Sequence, residues 1–277
     1  MFLLPKITRI TTQKKSKSRY NIFLDHEQGE AYGFSVDEDL LVKFHLHKSM
    51  EIDESTIQAL IQKDTIHKTY TLAIHYLSYR MRSEKEIRDY LVKKEADDEQ
   101  IDEVMNRLRT EKLVDDQEFA NSLVRTRVQT SSKGPILVKK ELIEKGVQAS
   151  MAEEALEFFP FEKQVEKALK FARKKIASEK KKSQRQLIQT IQQNLMQKGF
   201  QSDAIKEVFE QLPEEEGEDT EWEAIVYQGE KLLRKFERKA EGFELKQKVK
   251  TGLYRKGFSF DLIEQFIEEK IQEEERT

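Results

Sequence analysis

The side chains of this chain that are numerous and grouped enough to do chemistry are cations. Arg125-x-Arg127 is followed by Lys133, Lys139 and Lys140, and Arg173-Lys174-Lys175 by Lys180, Lys181, Lys182 and Arg185. Arg80 and Arg82 make a smaller group. Guanidinium and ammonium groups at this density suit a phosphate backbone, because each neutralised phosphate releases condensed counterions and binding becomes sequence-independent and salt-sensitive. No regular aromatic interleaving accompanies the clusters, so a base-stacking platform is not indicated. An acidic protein face would satisfy the same charges, and a merely solvated Lys-rich surface has the same composition. The candidate contact set is Arg80, Arg82, Arg125, Arg127, Lys133, Lys139, Lys140, Arg173, Lys174, Lys175, Lys181, Lys182 and Arg185.

The net charge of −3 conceals an uneven distribution. Residues 121–200 carry 17 basic and 8 acidic side chains, residues 1–120 carry 19 and 23, and residues 201–277 carry 13 and 21. A basic middle between acidic ends suggests a polyanion or an acidic protein as partner.

Catalytic chemistry is poorly represented. The absence of Cys removes disulfides, thiolate metal sites and thiol nucleophiles. Of the five histidines, His26, His45, His47, His67 and His75, only His45-x-His47 are close in sequence, and no third ligand stands at metal-site spacing. The glycines occur singly and form no phosphate-cradling loop, and neither Gly-x-Ser-x-Gly nor His-Glu-x-x-His occurs. The expectation is a binding protein with no catalytic residue, no metal and no cofactor. The N-terminus has no long apolar region and no run approaches the roughly 20 apolar residues of a membrane span, which points to the cytoplasm.

The elements that must position the cations repeat. Leu142-Ile143-Glu144-Lys145-Gly146-Val147 recurs as Leu195-Met196-Gln197-Lys198-Gly199-Phe200 and as Leu253-Tyr254-Arg255-Lys256-Gly257-Phe258. A fourth copy, Leu91-Val92-Lys93-Lys94-Glu95-Ala96, lacks the Gly. Counted from Leu91 through Leu142 and Leu195 to Leu253, the spacings are 51, 53 and 58, a period that means tandem structural units. Ile87, Val138, Ile191 and Val249 stand four residues before the Leu, and Ile101, Ala152, Ile205 and Ile263 ten after it, as helix faces require. Gly after the periodic residues accepts the left-handed backbone that ends a helix. Each unit therefore reads as three helices, the second ending at the Lys-Gly turn.

Boundaries follow from caps and breakers. Ser83-x-x-Glu86, Ser150-x-x-Glu153, Ser183-x-x-Gln186 and Thr220-x-x-Glu223 have the capping-box pattern and predict helix starts near 84, 151, 184 and 221. Asp97 or Asp98, Ser202 and Ser259 are candidate caps for the helices after the turns. Pro160 and Pro213 stand at unit joints, 212–219 reads as an acidic linker, and 131–135 as a turn. From about Asp53 the pattern is helical, with Ile57, Leu60 and Ile61 following an acidic start, and a long helix is predicted from about Lys63 to Arg80. Trp222 and the aromatic residues Tyr90, Phe119, Phe158, Phe171, Phe200 and Phe258 are expected in cores.

Residues 1–50 differ. Residues 7–12 and 20–24 are β-branched or aromatic runs, as strands require, separated by a polar hairpin loop over 13–19, and 29–34 suggest a further short strand. Residues 36–46 fit strand or helix. The predicted fold is mainly α: elongated tandem three-helix repeats after a small β-rich N-terminal region. The division is 1–52, β-rich; 53–112, lead-in helix and repeat 1; 113–159, repeat 2; 160–213, repeat 3; and 214–277, repeat 4.

The run Arg80-Met81-Arg82-Ser83-Glu84-Lys85-Glu86-Ile87, then Leu91, then Leu113-Val114-Asp115-Asp116-Gln117-Glu118-Phe119-Ala120, closely resembles the RecX family. So does Arg125-x-Arg127 with Gly134-Pro135 and Ile143-Glu144-Lys145-Gly146-Val147 downstream. The likeness is clearest over about residues 63–160 and continues through the Lys-Gly copies at 198 and 256. It implies a regulator that lies along the groove of the RecA filament on single-stranded DNA and limits its recombinase, ATPase and co-protease activities. The implied partners are the RecA filament and its single-stranded DNA, with duplex DNA as a further candidate, no membrane, and a monomeric chain. Glu95-Ala96 departs from the Gly-apolar pair of the other copies and leaves the geometry of the first turn open. Two alternatives stay open on the residues themselves: DNA binding without RecA, and a helical scaffold for an acidic protein.

Overall fold

The computed structural model describes residues 4–14, 16–26, 29–212 and 218–272. The N-terminal region is a three-stranded antiparallel sheet of β1 (Ile7–Gln13), β2 (Ser16–His26) and β3 (Gly29–Asp37), paired in sequence order. Alternation works as strand geometry demands: Ile22, Leu24, Phe34 and Val36 are buried, with Ile22 opposite Ile10 and Phe34. The predicted 13–19 loop is a much tighter turn, since Gln13 already pairs with Ser16, and Lys17 and Arg19 belong to β2. The twofold pattern there is masked by polar side chains, one of which is used inward. Arg19 forks onto Asp64 at 2.7 and 3.2 Å, and Asp64 also accepts from Asp37 N–H at 2.9 Å. Burial raises the Asp64 pKa, but Arg19 and Lys68 outweigh it and leave the carboxyl below its ordinary value.

The ambiguous stretch divides: β3 runs to Asp37, whose side chain caps α1 (Glu38–Lys43). Helix α2 (Glu54–Leu77), capped by Asp53, starts well before the predicted Lys63. Ile57 and Leu60 pack with the sheet residues, whereas Ala73 packs with Ile87, Leu91, Ile101 and Leu108. One helix thus serves two cores. Its apolar stripe changes face between them, which hides its continuity from a periodicity reading.

The repeats follow. Helices α3 (Glu84–Val92) and α4 (Asp98–Thr110) complete the first with the C-terminal half of α2. The second is α5 (Asp116–Thr130), α6 (Pro135–Glu144) and α7 (Ala149–Ala155), extended by a 3-10 turn to Phe158. The third is α8 (Phe161–Ser178), α9 (Gln184–Gln197) and α10 (Ser202–Gln211). The fourth is α11 (Glu218–Phe236), α12 (Gly242–Arg255) and α13 (Phe260–Ile267). Val165, Ala168, Ile191, Leu195 and Ile205 centre the third core, and Ile225, Val249, Leu253, Ile263 and Phe266 the fourth. The chain divides into two compact units: residues to Phe119 with Lys145–Val147, and Ala120–Glu144 with Gln148 onward.

Ser83, Ser183, Asp97 and Ser259 cap helices as their types predict, and Ser83 with Glu86 forms the full capping box. Ser150, Ser202 and Thr220 do not. α7 begins two residues earlier and α10 one residue earlier, after Gln148 and Gln201 without a side-chain cap, and Thr220 lies inside α11. The backbone is already helical at Ser150, Ser202 and Thr220, so each hydroxyl stands past the position from which a cap takes an orphan N–H. Pro213 and most of the expected linker lie outside the described residues. Phe119, Phe200 and Phe258 are buried, Trp222, Tyr90 and Phe171 pack at core margins, but Phe158 is 40% exposed.

The Lys-Gly turns explain their own recurrence. Gly146, Gly199 and Gly257 have φ of 88, 80 and 86°, and Glu95 adopts the same left-handed turn at 64°. The hydrogen bonds match: Gly199 N–H donates to Met196 C=O and Glu95 N–H to Val92 C=O, each 2.9 Å, while Phe200 and Ala96 N–H reach back to Leu195 and Leu91. This is the paired-bond helix ending that satisfies orphan carbonyls. What separates the copies is their surroundings. A Cβ on Gly199 would lie 2.7 Å from the Leu137 nitrogen, because Gly134 and Ile136 N–H donate to Lys198 and Gly199 C=O at 2.7 and 3.0 Å. Likewise Ser83 Oγ donates to Lys145 C=O at 2.6 Å, and Ser183 Oγ donates to Lys256 C=O. The turn of each later repeat docks on the start of the second helix of the repeat before it. The first turn has no preceding three-helix unit to dock on, and Glu95 is exposed there.

Candidate nucleic-acid interface

The cations fall into two electrostatic states. In the second repeat most are neutralised within the chain. Arg127 grips Glu141 with contacts of 2.6 and 3.1 Å, and Lys133 reaches the same carboxylate at 2.7 Å. The Arg127 fork foremost, against burial and with help from Lys133, holds Glu141 at a pKa of about 2. Lys139 pairs with Glu153, and Lys140 lies 3.9 Å from Glu144 while remaining 71% exposed. Arg125 stacks on Phe158 at 4.0 Å, which accounts for that aromatic ring standing half outside its core. Arg127 on α5 faces Glu141 on α6, and Lys133 from the turn between the two helices completes the charge-assisted set on that carboxylate.

The group ahead of α3 is also spoken for. Arg80 pairs with Glu86 at 2.8 Å and Lys145 with the same carboxylate at 2.7 Å. Burial pushes the Glu86 pKa up, but Arg80, Lys145 and the Ser83 N–H override it and hold it at about 2. Arg82 stacks on Tyr76 at 4.0 Å, and Tyr76 stacks on Tyr90 with ring centroids 4.1 Å apart.

The third-repeat cluster differs. Arg173 and Lys174, on α8, are exposed and have no ion pair among the described residues. Lys175 and Lys182 share Glu179, the latter at 2.5 Å. Lys181 lies 4.3 Å over the Tyr227 ring. Arg185, at the start of α9, is exposed and lines a depression of about 280 Å³ with Arg255 and Lys256. Sequence reasoning missed the last two. The signal was present, because Lys256 is the Lys of the repeated turn and Arg255 precedes it, but their nearness to Arg185 depends on how repeat 4 docks on repeat 3.

His45 and His47 are exposed. Asp37, Asp39 and His67 have potential ligand atoms within 4.8 Å of one another, but Asp37 is committed to capping α1. Among the described residues, no helix is long and apolar enough to cross a membrane.

A small antiparallel sheet followed by three-helix units that dock turn-to-helix, carrying partly neutralised basic faces, defines a helical-repeat protein. Family models match in that order: the regulatory protein RecX N-terminal domain at residues 5–53, the first RecX three-helix domain at 70–108, the second at 115–156, and the third at both 162–209 and 219–267. The chain belongs to the RecX family. It is 56% identical over 272 residues to a regulatory protein RecX of Oceanobacillus iheyensis, covering 98% of this chain and 100% of that one. It is 43% identical to a regulatory protein RecX of Halalkalibacterium halodurans, covering 94% and 98%. A crystal structure titled regulatory protein RecX superposes with a TM-score of 0.65 at 36% identity, over 75% of this chain and all of that one. One of RecX from Lactobacillus salivarius gives 0.52 at 37% identity, over 54% and 97%.

Proposed function

We propose that this chain is a non-enzymatic regulator that binds the RecA filament on single-stranded DNA and limits its recombinase, ATPase and co-protease activities in the cytoplasm. The reading rests on membership in the RecX family over nearly the whole chain. The observation that carries the binding mode is the division of the cations. Arg127, Lys133 and Lys139 are held by Glu141 and Glu153, whereas Arg173, Lys174 and Arg185 have no carboxylate partner among the described residues. Cations already paired inside a protein release few counterions on binding, so the third repeat carries more of the phosphate contact than the second. Of the candidate contacts, Arg173, Lys174, Lys181 and Arg185 therefore serve the partner, and Arg80, Arg127, Lys133 and Lys139 serve the fold first.

The test is RecA-dependent ATP hydrolysis on single-stranded DNA, with and without the protein. Hydrolysis that falls in proportion to added protein is expected. An unchanged rate at saturating protein contradicts the proposal. Binding to bare DNA as tight as to the filament would favour DNA recognition without RecA.

A further inference from the structure

Repeats 1 and 3 are built alike at the start of their second helix, and one residue separates their chemistry. Each has a buried N-cap serine, Ser83 or Ser183, whose hydroxyl donates to the carbonyl of the Lys in the next repeat's turn. Three residues on, repeat 1 has Glu86 and repeat 3 has Gln186. Glu86 binds Lys145, the turn lysine, at 2.7 Å and closes that joint as a salt bridge. Gln186 offers the corresponding Lys256 no charge.

The joint between repeats 3 and 4 accordingly holds a cationic depression. Arg185, Gln186, Gln189, Tyr254, Arg255 and Lys256 line it, in a volume of about 280 Å³. Arg185, Arg255 and Lys256 have no carboxylate partner among the described residues. Tyr254 stands 65% exposed beside them. Like charges brought together without counter-charge are unfavourable unless an anion is shared. Guanidinium forks fit phosphate oxygens two at a time, amides add neutral donors, and an exposed phenol ring offers a face for a nucleobase.

We propose that this depression is a phosphodiester-binding site for single-stranded nucleic acid, opened by the glutamine that replaces a joint-closing glutamate. It deepens the filament reading, and rests on it only for the nucleic acid being the filament's DNA. The backbone phosphates sit among Arg185, Arg255 and Lys256, and an unstacked base lies against Tyr254.

The test uses the full chain and a fluorescent single-stranded oligonucleotide, followed by anisotropy over a range of salt. Arg185→Glu with Arg255→Glu should weaken binding at least tenfold and flatten the plot of log affinity against log salt by ~1.4, about 0.7 for each lost phosphate contact. Gln186→Glu guards against loss of fold: it should rebuild the repeat-1 salt bridge, so thermal stability holds or rises while oligonucleotide affinity falls. Unchanged affinity and salt slope in both variants overturns the site. Equal binding of polyglutamate and oligonucleotide by the wild-type chain also overturns it, in favour of an acidic protein partner. A site that passes these tests in a chain without effect on RecA ATP hydrolysis would sink the filament reading and leave the site standing.

Discussion

The carboxylate of Asp116 accepts the main-chain N–H of Glu84 at 2.8 Å, capping α3 from the first helix of the following repeat. Glu221 does the same for Gln184 at 2.9 Å, on α9. Burial raises both pKa values. For Asp116 the Glu84 N–H offsets part of this and the Glu84 and Asp115 charges add to it, and for Glu221 the Gln184 N–H offsets part. These caps from outside, with the serine-to-carbonyl bonds, tie consecutive repeats at the same place.

Two opposed pH effects follow. Asp116 and Glu221 hold a proton more tightly in the folded chain, so their contribution to stability is lost as pH rises through the window just above ordinary carboxylate values. Glu86 and Glu141 are depressed to about 2 from 4.5, so their contribution is complete above 4.5 and lost as pH falls from 4.5 towards 2. Urea midpoints measured from pH 3 to 7 should fall steeply at the acid end. In Glu141→Gln the acid limb should be shallower and stability at pH 7 lower by about 1–2 kcal/mol. An unaltered acid limb would remove Glu141 from the account.

Ser83→Ala deletes a helix cap and a joint hydrogen bond together. The expected loss is about 2 kcal/mol, the sum of about 1 for each. Ser183→Ala should behave alike. Denaturant unfolding of the two variants checks this, and a loss below about 0.5 kcal/mol would mean the joint bonds are dispensable.

The left-handed turns make opposite predictions at equivalent positions. Gly199→Ala adds a Cβ 2.7 Å from backbone at φ 80°, and should destabilise by about 1–3 kcal/mol. Glu95→Gly relieves a non-glycine residue at φ 64° on an exposed turn, and should be neutral or stabilise by up to about 1 kcal/mol. Thermal unfolding of the pair distinguishes a packed turn from an open one.

Charge reversal should separate folding from binding. Arg173→Glu with Lys174→Glu removes exposed charges and should alter stability by less than about 0.5 kcal/mol while weakening filament binding and its salt dependence. Arg127→Glu faces Glu141 and should destabilise the second repeat by 2 kcal/mol or more, on the order expected for a broken, partly buried pair. Sedimentation of filaments beside melting curves reads both. Equal binding by Arg173→Glu/Lys174→Glu and wild type would move the contact surface elsewhere.

Much of this protein was legible along the chain. The Leu-x-x-Lys-Gly turns, the helix pairs around them and the caps at Ser83, Asp97, Ser183 and Ser259 are local features. Hydrogen bonds within a few residues and a backbone angle open mainly to glycine specify them. The β region and the family were legible too, because alternation and ordered motifs survive without tertiary context. The caps at Ser150, Ser202 and Thr220 failed because the chain is already helical at all three, which their residue types alone do not reveal. Tertiary structure alone decided which cations are spent internally and which are not. That Glu141 takes Arg127, that Glu86 takes Lys145 across 59 residues, and that Gln186 leaves Lys256 without such a partner depend on how one repeat docks on the next. Coulomb pairing acts through space, and the order of residues along the chain carries no record of that distance.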